Sequence, residues 1–304
     1  MTELLVGTDR GLFRAGDGEA ATVPEAPGGR IAALAEDGGT VWVLADGSSL
    51  VRSEDGAWRD AAILTPWRGT CLLPDGDAVL VGTAEAGLLE VRGGATSPVT
   101  GFDAVPGRGD WYTPWGGPPD TRSLARGPEG ALHANVHVGG IPRSDDGGAT
   151  WRPTIDVDAD VHQVLAHPAR PDVVLASTAR GLAVGTDGGR SWTFHTEGLH
   201  GPYSRAVALA GDGETVLVSA SEGHVGRRSA LYRGTLGDAI RFARCAEGLP
   251  ESFDANIDTA TLVAAGERAA FGTADGRVYV SEDVGATWAL TASGLPPVRA
   301  LHLG

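Results

Sequence analysis

Two segments of the chain share one pattern: SDDGGATW at residues 144–151 and SEDVGATW at residues 281–288 both read S-x-D-x-G-x-T-W. GTDGGRSW at residues 185–192 matches except at its first position and for a serine, the similar hydroxyl residue, in place of the threonine; SEDGAW at residues 53–58 is a shortened form. The aspartate of such a segment can accept backbone N–H groups within a turn, and its glycine allows a positive φ. The tryptophan can bury apolar area against the same unit. The pattern therefore predicts a repeated turn with a structural role.

The apolar runs between these turns are short and bounded by glycine, aspartate and proline, which is typical of β-strands. Similar sequences recur about every 40 residues, the spacing of propeller blades. They are LLVGTDRG from Leu4, VWVLADG from Val41, VLVGTAEAG from Val79, HANVHVGG from His133, VLASTARG from Val174, VLVSASEG from Val216 and AAFGTADG from Ala269. Each is interpreted as the second strand of a blade, which gives seven blades.

The two ends of the chain complete this count. The sequence closes with PVRALHLG, a first strand without the rest of its blade, and it begins at a second strand without a first. We therefore predict an all-β fold: a seven-bladed β-propeller of four-stranded blades, closed by pairing Val298–Leu303 with the N-terminal blade at residues 3–23. The whole chain, residues 1–304, is predicted to be a single domain.

With two full matches, one near match and one shortened match in register, the chain resembles the BNR/Asp-box propellers. That group includes sialidases, enzymes that degrade xyloglucan, and propellers that assist the assembly of photosystem II. The resemblance covers the whole chain and implies the propeller fold. Because the motif is a turn, it implies almost nothing about the chemistry that the protein performs.

The charged residues exclude several kinds of site. The chain has 24 basic and 39 acidic side chains, a net charge of −15. All 24 bases are arginine, typical of the codon bias of a GC-rich bacterial genome, so no lysine is available for a Schiff base or a P-loop. The negative charge argues against nucleic acid as a partner.

The remaining composition indicates a cytoplasmic protein. The N-terminus lacks the basic region and apolar run of a secretory signal, and no apolar stretch approaches the ~20 residues of a membrane span. Two cysteines, Cys71 and Cys245, are too few for a disulfide framework. We expect no membrane partner, and a monomer or small oligomer.

Arginines are concentrated where the first strands of the blades begin. In a propeller these strands line the central channel, and the loops that enter them share one face, here called the channel mouth. Alignment of the strand starts places five arginines, a histidine and an aspartate in one column: Arg30, Arg68, Arg122, His162, Arg205, Asp258 and Arg299. Guanidinium groups bind carboxylates and phosphates in a bidentate manner. The column predicts a site for a small anionic molecule or an acidic protein segment.

A structural ring is the alternative for these arginines. In that case they pair with nearby aspartates and neutralise the channel. The available partners are Asp156, Asp158, Asp160, Asp254 and Asp258.

The fourth blade departs from the others. In our alignment its second strand places His133 and Asn135 in a column that is apolar in the other blades, with His137 at the strand end. Alternation puts the three side chains on one side of the strand, and polar groups there need partners. We therefore predict that this blade carries part of a binding site, with Asn135 contacting the substrate.

Other side chains extend this sector of the channel mouth. The long loop at about residues 101–120 holds three aromatic residues, which suit either stacking on a planar ligand or packing as a lid: Trp111, Tyr112 and Trp115. Tyr203 lies in the loop before the sixth blade, and Glu222 lies between that blade's second and third strands. We predict a catalytic role for Tyr203 and substrate-binding roles for the others.

Histidines supply the candidate chemistry. His137, His162 and His200 come from separate strands and loops of one sector, and His224 lies on the next loop. Such a set would suit a divalent transition metal, Zn, Cu or Fe, with an open position for substrate. The alternative is acid–base catalysis by His137 or His162 near neutral pH.

Three functions are consistent with these patterns. The first is an enzyme of the hydrolase or lyase type that acts on a small anionic molecule at the channel mouth. The second is a non-catalytic propeller that binds or assembles other proteins. The third is a sialidase-like glycoside hydrolase, for which the resemblance implies three arginines on a substrate carboxylate and a tyrosine beside a glutamate. Seven blades, against six in sialidases, and the lack of a clear Tyr–Glu pair disfavour this third function.

Overall fold

Strands dominate the computed structural model, which describes residues 3–16 and 19–304. They form seven four-stranded antiparallel sheets, the blades of a propeller. From the inner strand outward, blade 1 is β28 (Val298–Leu303), β1 (Leu4–Thr8), β2 (Gly11–Gly16) and β3 (Glu19–Thr22); blade 2 is β4 (Ile31–Asp37), β5 (Thr40–Ala45), β6 (Ser49–Glu54) and β7 (Ala57–Ile63); blade 3 is β8 (Gly69–Asp75), β9 (Ala78–Thr83), β10 (Leu88–Arg92) and β11 (Ala95–Pro98).

The same order holds in the other blades. Blade 4 is β12 (Thr121–Arg126), β13 (Leu132–Val136), β14 (Pro142–Ser144) and β15 (Arg152–Pro153); blade 5 is β16 (Val161–Ala166), β17 (Val174–Thr178), β18 (Gly181–Gly185) and β19 (Thr193–His195); blade 6 is β20 (Val207–Leu209), β21 (Thr215–Ala220), β22 (Ala230–Thr235) and β23 (Ala243–Arg244); blade 7 is β24 (Leu262–Ala265), β25 (Arg268–Gly272), β26 (Val278–Ser281) and β27 (Ala289–Ala292). The predicted seven-bladed propeller is confirmed.

Helical segments are few and short. One α-helix, α1, spans Thr100–Asp103, and 3-10 turns span Ala84–Ala86, Arg108–Asp110 and Val157–Ala159. No helix in the described part of the chain is long and apolar enough to cross a membrane.

The ends of the chain meet in blade 1, as predicted. Strand β28 pairs antiparallel with β1, with Leu303 opposite Leu4 and Leu301 opposite Val6. The side chains of all four residues are buried. The last strand of the chain thus supplies the inner strand of the first blade, and the ring is closed by hydrogen bonds between the two ends.

The core is divided among the spaces between neighbouring blades. The described residues contain seven apolar clusters, and each joins side chains from two adjacent blades. The cluster between blades 6 and 7 is aromatic: the ring centroid of Phe271 lies 5.0 Å from that of Tyr279 and 5.1 Å from that of Trp288. Because every blade buries both faces against neighbours, its stability depends on closure of the ring.

The S-x-D-x-G-x-T-W segments form turns that their own side chains stabilise. Asp146 accepts the backbone N–H of Thr150 at 2.8 Å and its hydroxyl at 2.6 Å. Asp283 makes the same two hydrogen bonds with Thr287, at 2.8 and 2.7 Å. Hydrogen bonds from these threonines lower the pKa of both carboxyl groups to about 2. The motif aspartates are therefore held within their turns, in the structural role that the sequence predicts.

The sequence alignment of blade 4 is wrong by one residue. Strand pairing places Leu132 and Ala134 in the apolar column, where they pack toward blade 3. His133 and Asn135 lie on the opposite side of β13, where a side chain added at Gly189 of blade 5 would touch the His133 ring. A shift of one residue exchanges the faces of a strand, and alternation alone does not fix its phase. The polar pair therefore faces blade 5.

β-Bulges direct candidate residues to the channel mouth. The pairing of the inner strands skips Arg299 in β28, Arg122 in β12 and His162 in β16. A bulge turns its extra residue out of the regular alternation of the strand. Arg30 and Arg68 instead immediately precede β4 and β8. The aligned residues thus occupy two positions of the inner strands rather than the single predicted column.

Candidate functional site

The channel mouth contains a cavity of about 660 Å³. Its charged lining comprises five arginines and three aspartates: Arg30, Arg68, Arg122, Arg205, Arg299, Asp46, Asp120 and Asp258. Arginines thus outnumber aspartates in this lining, although the net charge of the chain is −15. The structure thus brings together the five arginines that the sequence singles out, although from two strand positions.

Aspartates neutralise three of these arginines. Arg299 donates through Nε and Nη2 to the two carboxylate oxygens of Asp9 at 2.8 and 2.7 Å, and Arg30 Nε lies 3.5 Å from the same group. The hydrogen bond from Arg299 is the main cause of the lowered pKa of Asp9. Nη1 of Arg205 lies 3.2 Å from both carboxylate oxygens of Asp258. The structural-ring alternative therefore describes part of the mouth.

The other two arginines, Arg68 and Arg122, have no ion pair with any residue that the structure describes. They belong to neighbouring blades, and Arg68 is exposed whereas Arg122 is partly buried. Burial, reinforced by the nearby charge of Arg205, lowers the pKa of the Arg122 guanidinium, although the charges of Asp258, Asp120 and Asp160 oppose this shift. Burying an unpaired cation is costly. A bound anion would therefore give Arg122 the ion pair that the described residues do not supply.

Three further side chains converge beside this cavity. Nε2 of His137 lies 3.1 Å from Oδ1 of Asp160, and Nε2 of His162 lies 3.5 Å from the same oxygen. The backbone N–H of His137 donates to the carbonyl of Asp120, which lines the cavity. His137 is 4% exposed and His162 is 0% exposed. Oδ1 of Asp160 and Nε2 of His162 are buried, and apart from these contacts within the cluster neither has a hydrogen-bond partner among residues 3–16 and 19–304.

The tautomer of His162 follows from its other contact. Its Nδ1 lies 2.7 Å from the carbonyl oxygen of Ser204, which can only accept, so Nδ1 carries the proton and Nε2 presents a lone pair. Burial lowers the pKa of His162, and Arg122 and Arg205 lower it further, against the opposing effect of Asp160. Burial also acts to raise the pKa of Asp160, but the two histidines outweigh it and hold that pKa well below its usual range.

Two aromatic side chains border the His137–Asp160–His162 cluster. The ring centroid of Trp115 lies 5.1 Å from that of His137, and Trp115 is 69% exposed. The ring of Tyr203 lies 4.8 Å from that of His162, and its hydroxyl lies 3.4 Å from Nη2 of Arg205. Burial raises the pKa of Tyr203. Trp115 thus packs beside His137, and Tyr203 contacts both His162 and Arg205.

The other two aromatic candidates differ from each other. Tyr112 is 46% exposed and donates its hydroxyl to Oδ1 of Asp158 at 3.1 Å. Trp111 packs against Phe102 in the core between blades 3 and 4, with Arg108 over its ring. Trp111 therefore anchors the loop, whereas Tyr112 is exposed beside Asp158 and does not belong to the lining of the cavity.

Two predicted substrate-binding residues have protein partners. Asn135 is fully buried, and its Nδ2 donates to the hydroxyl of Ser123 at 3.3 Å while its Oδ1 is unpaired within the described residues. Glu222 is exposed and accepts a hydrogen bond from Arg228 at 2.9 Å. Asn135 lies behind the mouth rather than in the lining of its cavity.

The remaining histidine candidates lie apart from the cluster. His200 is exposed, and its Nδ1 lies 2.7 Å from the hydroxyl of Tyr232. His224 is exposed and lines a second cavity of about 200 Å³, and its carbonyl accepts a hydrogen bond from Asn256. The third ligand-type group that the structure brings to His137 and His162 is thus Asp160, and neither His200 nor His224 belongs to this group.

Sequence reasoning missed the roles of two aspartates. Asp160 appeared only as a partner for arginines, although it precedes His162 by two residues at the start of an inner strand. That spacing was the available signal, because both residues then lie at the mouth. Asp9 was not singled out, although it follows β1 in a loop on the same face.

Comparison with solved structures supports the fold. A putative 6-phosphogluconolactonase from Bacteroides uniformis matches 100% of this chain and 99% of its own at 14% identity, with a TM-score of 0.66. A GH74 xyloglucanase from Xanthomonas campestris matches 95% of this chain at 17% identity and a TM-score of 0.61, and the match spans 47% of that enzyme. YCF48, solved bound to D1 peptide, matches 88% of this chain and 84% of its own at 16% identity and a TM-score of 0.60.

These matches establish the seven-bladed propeller and nothing finer. No protein-family model and no curated protein matches the chain. Membership of the BNR/Asp-box family therefore remains a prediction from the motif. Because the similar structures carry names of enzymes and of a protein solved with a peptide, the function has to be argued from the channel mouth itself.

Proposed function

We propose that the protein is an enzyme of the hydrolase or lyase type that acts on a small anionic molecule at the channel mouth. The observation that carries the proposal is Arg122, partly buried and without an ion pair among the described residues, in a cavity where arginines outnumber aspartates. A carboxylate or phosphate beside Arg122 would give this guanidinium its missing partner. The adjacent His137–Asp160–His162 cluster supplies groups for chemistry.

The arginines would have different roles in binding the substrate. Arg122 would donate paired hydrogen bonds to one anionic group of the substrate, with Arg68 contributing from the neighbouring blade. Arg205 is already paired with Asp258 and would orient the ligand more than neutralise it. Arg30 and Arg299 hold the rim of the mouth through their shared contact with Asp9.

The cluster would carry out the proton chemistry. Nε2 of His162 presents a lone pair at a buried position, which suits a group that takes a proton from water in a hydrolase or from the substrate in a lyase. Trp115 and Tyr203 limit the access of bulk water to this position. Tyr112 would contact the ligand from the loop above.

A non-catalytic propeller that binds an acidic protein segment would use the same arginines. YCF48, solved with a bound peptide, gives a precedent for peptide binding by this fold. However, a surface that only binds a protein has no need of a buried His–Asp–His cluster, because burying these polar groups costs free energy. The cluster therefore favours the enzyme.

The sialidase-like alternative has less support. Tyr203 contacts Arg205, Tyr112 donates to Asp158, Tyr232 lies beside His200, and Tyr279 accepts from Arg277. In the part of the chain that the structure describes, no tyrosine hydroxyl is hydrogen-bonded to a glutamate. The nucleophile that the resemblance implies thus lacks a counterpart.

Binding of phosphate and of succinate to metal-free protein tests the proposal, measured by calorimetry at constant ionic strength. We expect Arg122→Gln to weaken binding of the preferred anion about 10- to 100-fold, since a hydrogen bond between charged groups contributes about 1.5–3 kcal/mol. Arg59→Gln, on the exposed strand β7, should bind as the wild type does. Equal affinities of wild type and Arg122→Gln, or no binding of either anion by the wild type, would contradict the proposal.

A further inference from the structure

The spacing of atoms in the His137–Asp160–His162 cluster is that of ligands around one metal ion. Ligands at about 2.0–2.2 Å from a metal, at tetrahedral or octahedral angles, are themselves about 3.0–3.5 Å apart. The two imidazole nitrogens lie 3.1 and 3.5 Å from Oδ1 of Asp160. The three ligand atoms all lie within 4.8 Å of one another.

The same atoms lack any other partner that would explain their position. Oδ1 of Asp160 and Nε2 of His162 are both buried, and outside the cluster neither has a hydrogen-bond partner within residues 3–16 and 19–304. A hydrogen bond from Nε2–H of His137 can satisfy Oδ1 of Asp160, but Nε2 of neutral His162, whose proton is on Nδ1, faces the same oxygen with a lone pair. Two lone pairs in a buried site repel unless a cation lies between them. A metal ion would satisfy both atoms together.

His162 also has the outer contact typical of a metal ligand. Its Nδ1 donates to the backbone carbonyl of Ser204 at 2.7 Å, which fixes the ring and leaves Nε2 free to coordinate. Histidine ligands commonly donate their second nitrogen to a carbonyl or carboxylate in this way. The backbone of Asp160 is also fixed, because its carbonyl accepts the N–H of Ala179 at 3.1 Å.

We propose that His137, Asp160 and His162 form a binding site for one divalent transition-metal ion. Two imidazoles and one carboxylate suit Zn²⁺ and Fe²⁺, and three protein ligands leave coordination positions for water or substrate. The side chain of Asp160 is 24% exposed, so solvent reaches one side of the site. The inference rests on the proposed function only for the metal's role: when bound, the metal would occupy the Nε2 lone pair of His162 and would itself activate a water molecule or polarise a substrate oxygen, in place of proton transfer by that histidine.

Zinc binding to the purified, EDTA-treated protein tests this proposal, by calorimetric titration followed by metal analysis of the gel-filtered complex. We expect one Zn²⁺ per chain. Loss of a group that hydrogen-bonds to a metal ligand typically weakens metal binding ~10- to 100-fold. Loss of a ligand itself, in Asp160→Asn, should therefore weaken zinc binding by more than about 100-fold. His137→Ala should behave likewise. Cobalt substitution gives an independent reading, because the visible spectrum of bound Co²⁺ reports its ligands.

His200→Ala is the matched control, since His200 is exposed and outside the cluster. It should bind zinc as the wild type does. Asp160→Asn keeps the size of the side chain, so thermal unfolding can verify that the variant is folded. Sub-stoichiometric zinc in the wild type, or unchanged affinity in folded Asp160→Asn, would overturn the metal site. Phosphate and succinate binding is measured without metal, so either proposal can fail without the other.

Discussion

Replacing Arg299 by glutamine should destabilise the free protein, whereas replacing Arg122 by glutamine should leave it at least as stable as the wild type. Arg299 makes two hydrogen bonds to Asp9, and its loss leaves that carboxylate with only the longer contact to Arg30. The expected cost is about 1–3 kcal/mol, toward the lower end because both groups are partly exposed. Arg122 has no such partner among the described residues, and its burial beside Arg205 disfavours its charge.

The contrast distinguishes an arginine that stabilises the fold, Arg299, from one that binds a ligand, Arg122. Functional groups commonly reduce the stability of the free protein and regain it on binding. Urea unfolding of both variants, with and without phosphate, measures the difference. Phosphate should stabilise wild type and Arg299→Gln but not Arg122→Gln. A large loss of stability in ligand-free Arg122→Gln would indicate that Arg122 is a structural residue.

A chain that ends at Pro297 is expected not to fold. The truncation removes β28, which is the inner strand of blade 1, and leaves β1 as an unpaired edge on the channel. Among the buried apolar side chains that it removes are three large ones, Val298, Leu301 and Leu303. At ~1.5–3 kcal/mol for each, their loss alone approaches the ~5–15 kcal/mol net stability of a typical domain.

Far-UV circular dichroism and thermal unfolding check this expectation. The control is a chain that ends at Leu303, which lacks only the exposed Gly304 and retains every residue of β28. The control should unfold cooperatively, and the shorter chain should aggregate or show no cooperative transition. A cooperative transition near that of the full chain, from a protein without β28, would mean that closure contributes little.

The fold was predictable because its signals are local and repeated. The aspartate turns, the short apolar runs and the half-blades at both ends recur at one period, so an error in one unit does not change the count. It is harder to predict which side chains of a single strand face the apolar core. In β13, neither His133 nor Leu132 is favoured by alternation alone, and the structure selects Leu132 for the apolar column.

The candidate site was predictable only in part, because its contacts join distant parts of the chain. The five arginines could be placed at the mouth from the starts of the inner strands. Their pairing could not, because Asp9 reaches Arg299 across 290 positions of sequence once the ring has closed. His137 and His162 could be predicted as polar residues of the mouth sector. That Asp160 rather than His200 lies beside them depends on the course of the loop before β16, which the sequence pattern does not define.

Selenate soaked into crystals of the metal-free protein tests the anion site at the channel mouth most directly. The anomalous scattering of selenium locates an oxyanion independently of the protein atoms. We expect a peak within hydrogen-bond distance of the Arg122 guanidinium in the wild type, and its disappearance in Arg122→Gln. A peak that persists in the variant, or selenate found only on the outer surface of the blades, would contradict the account.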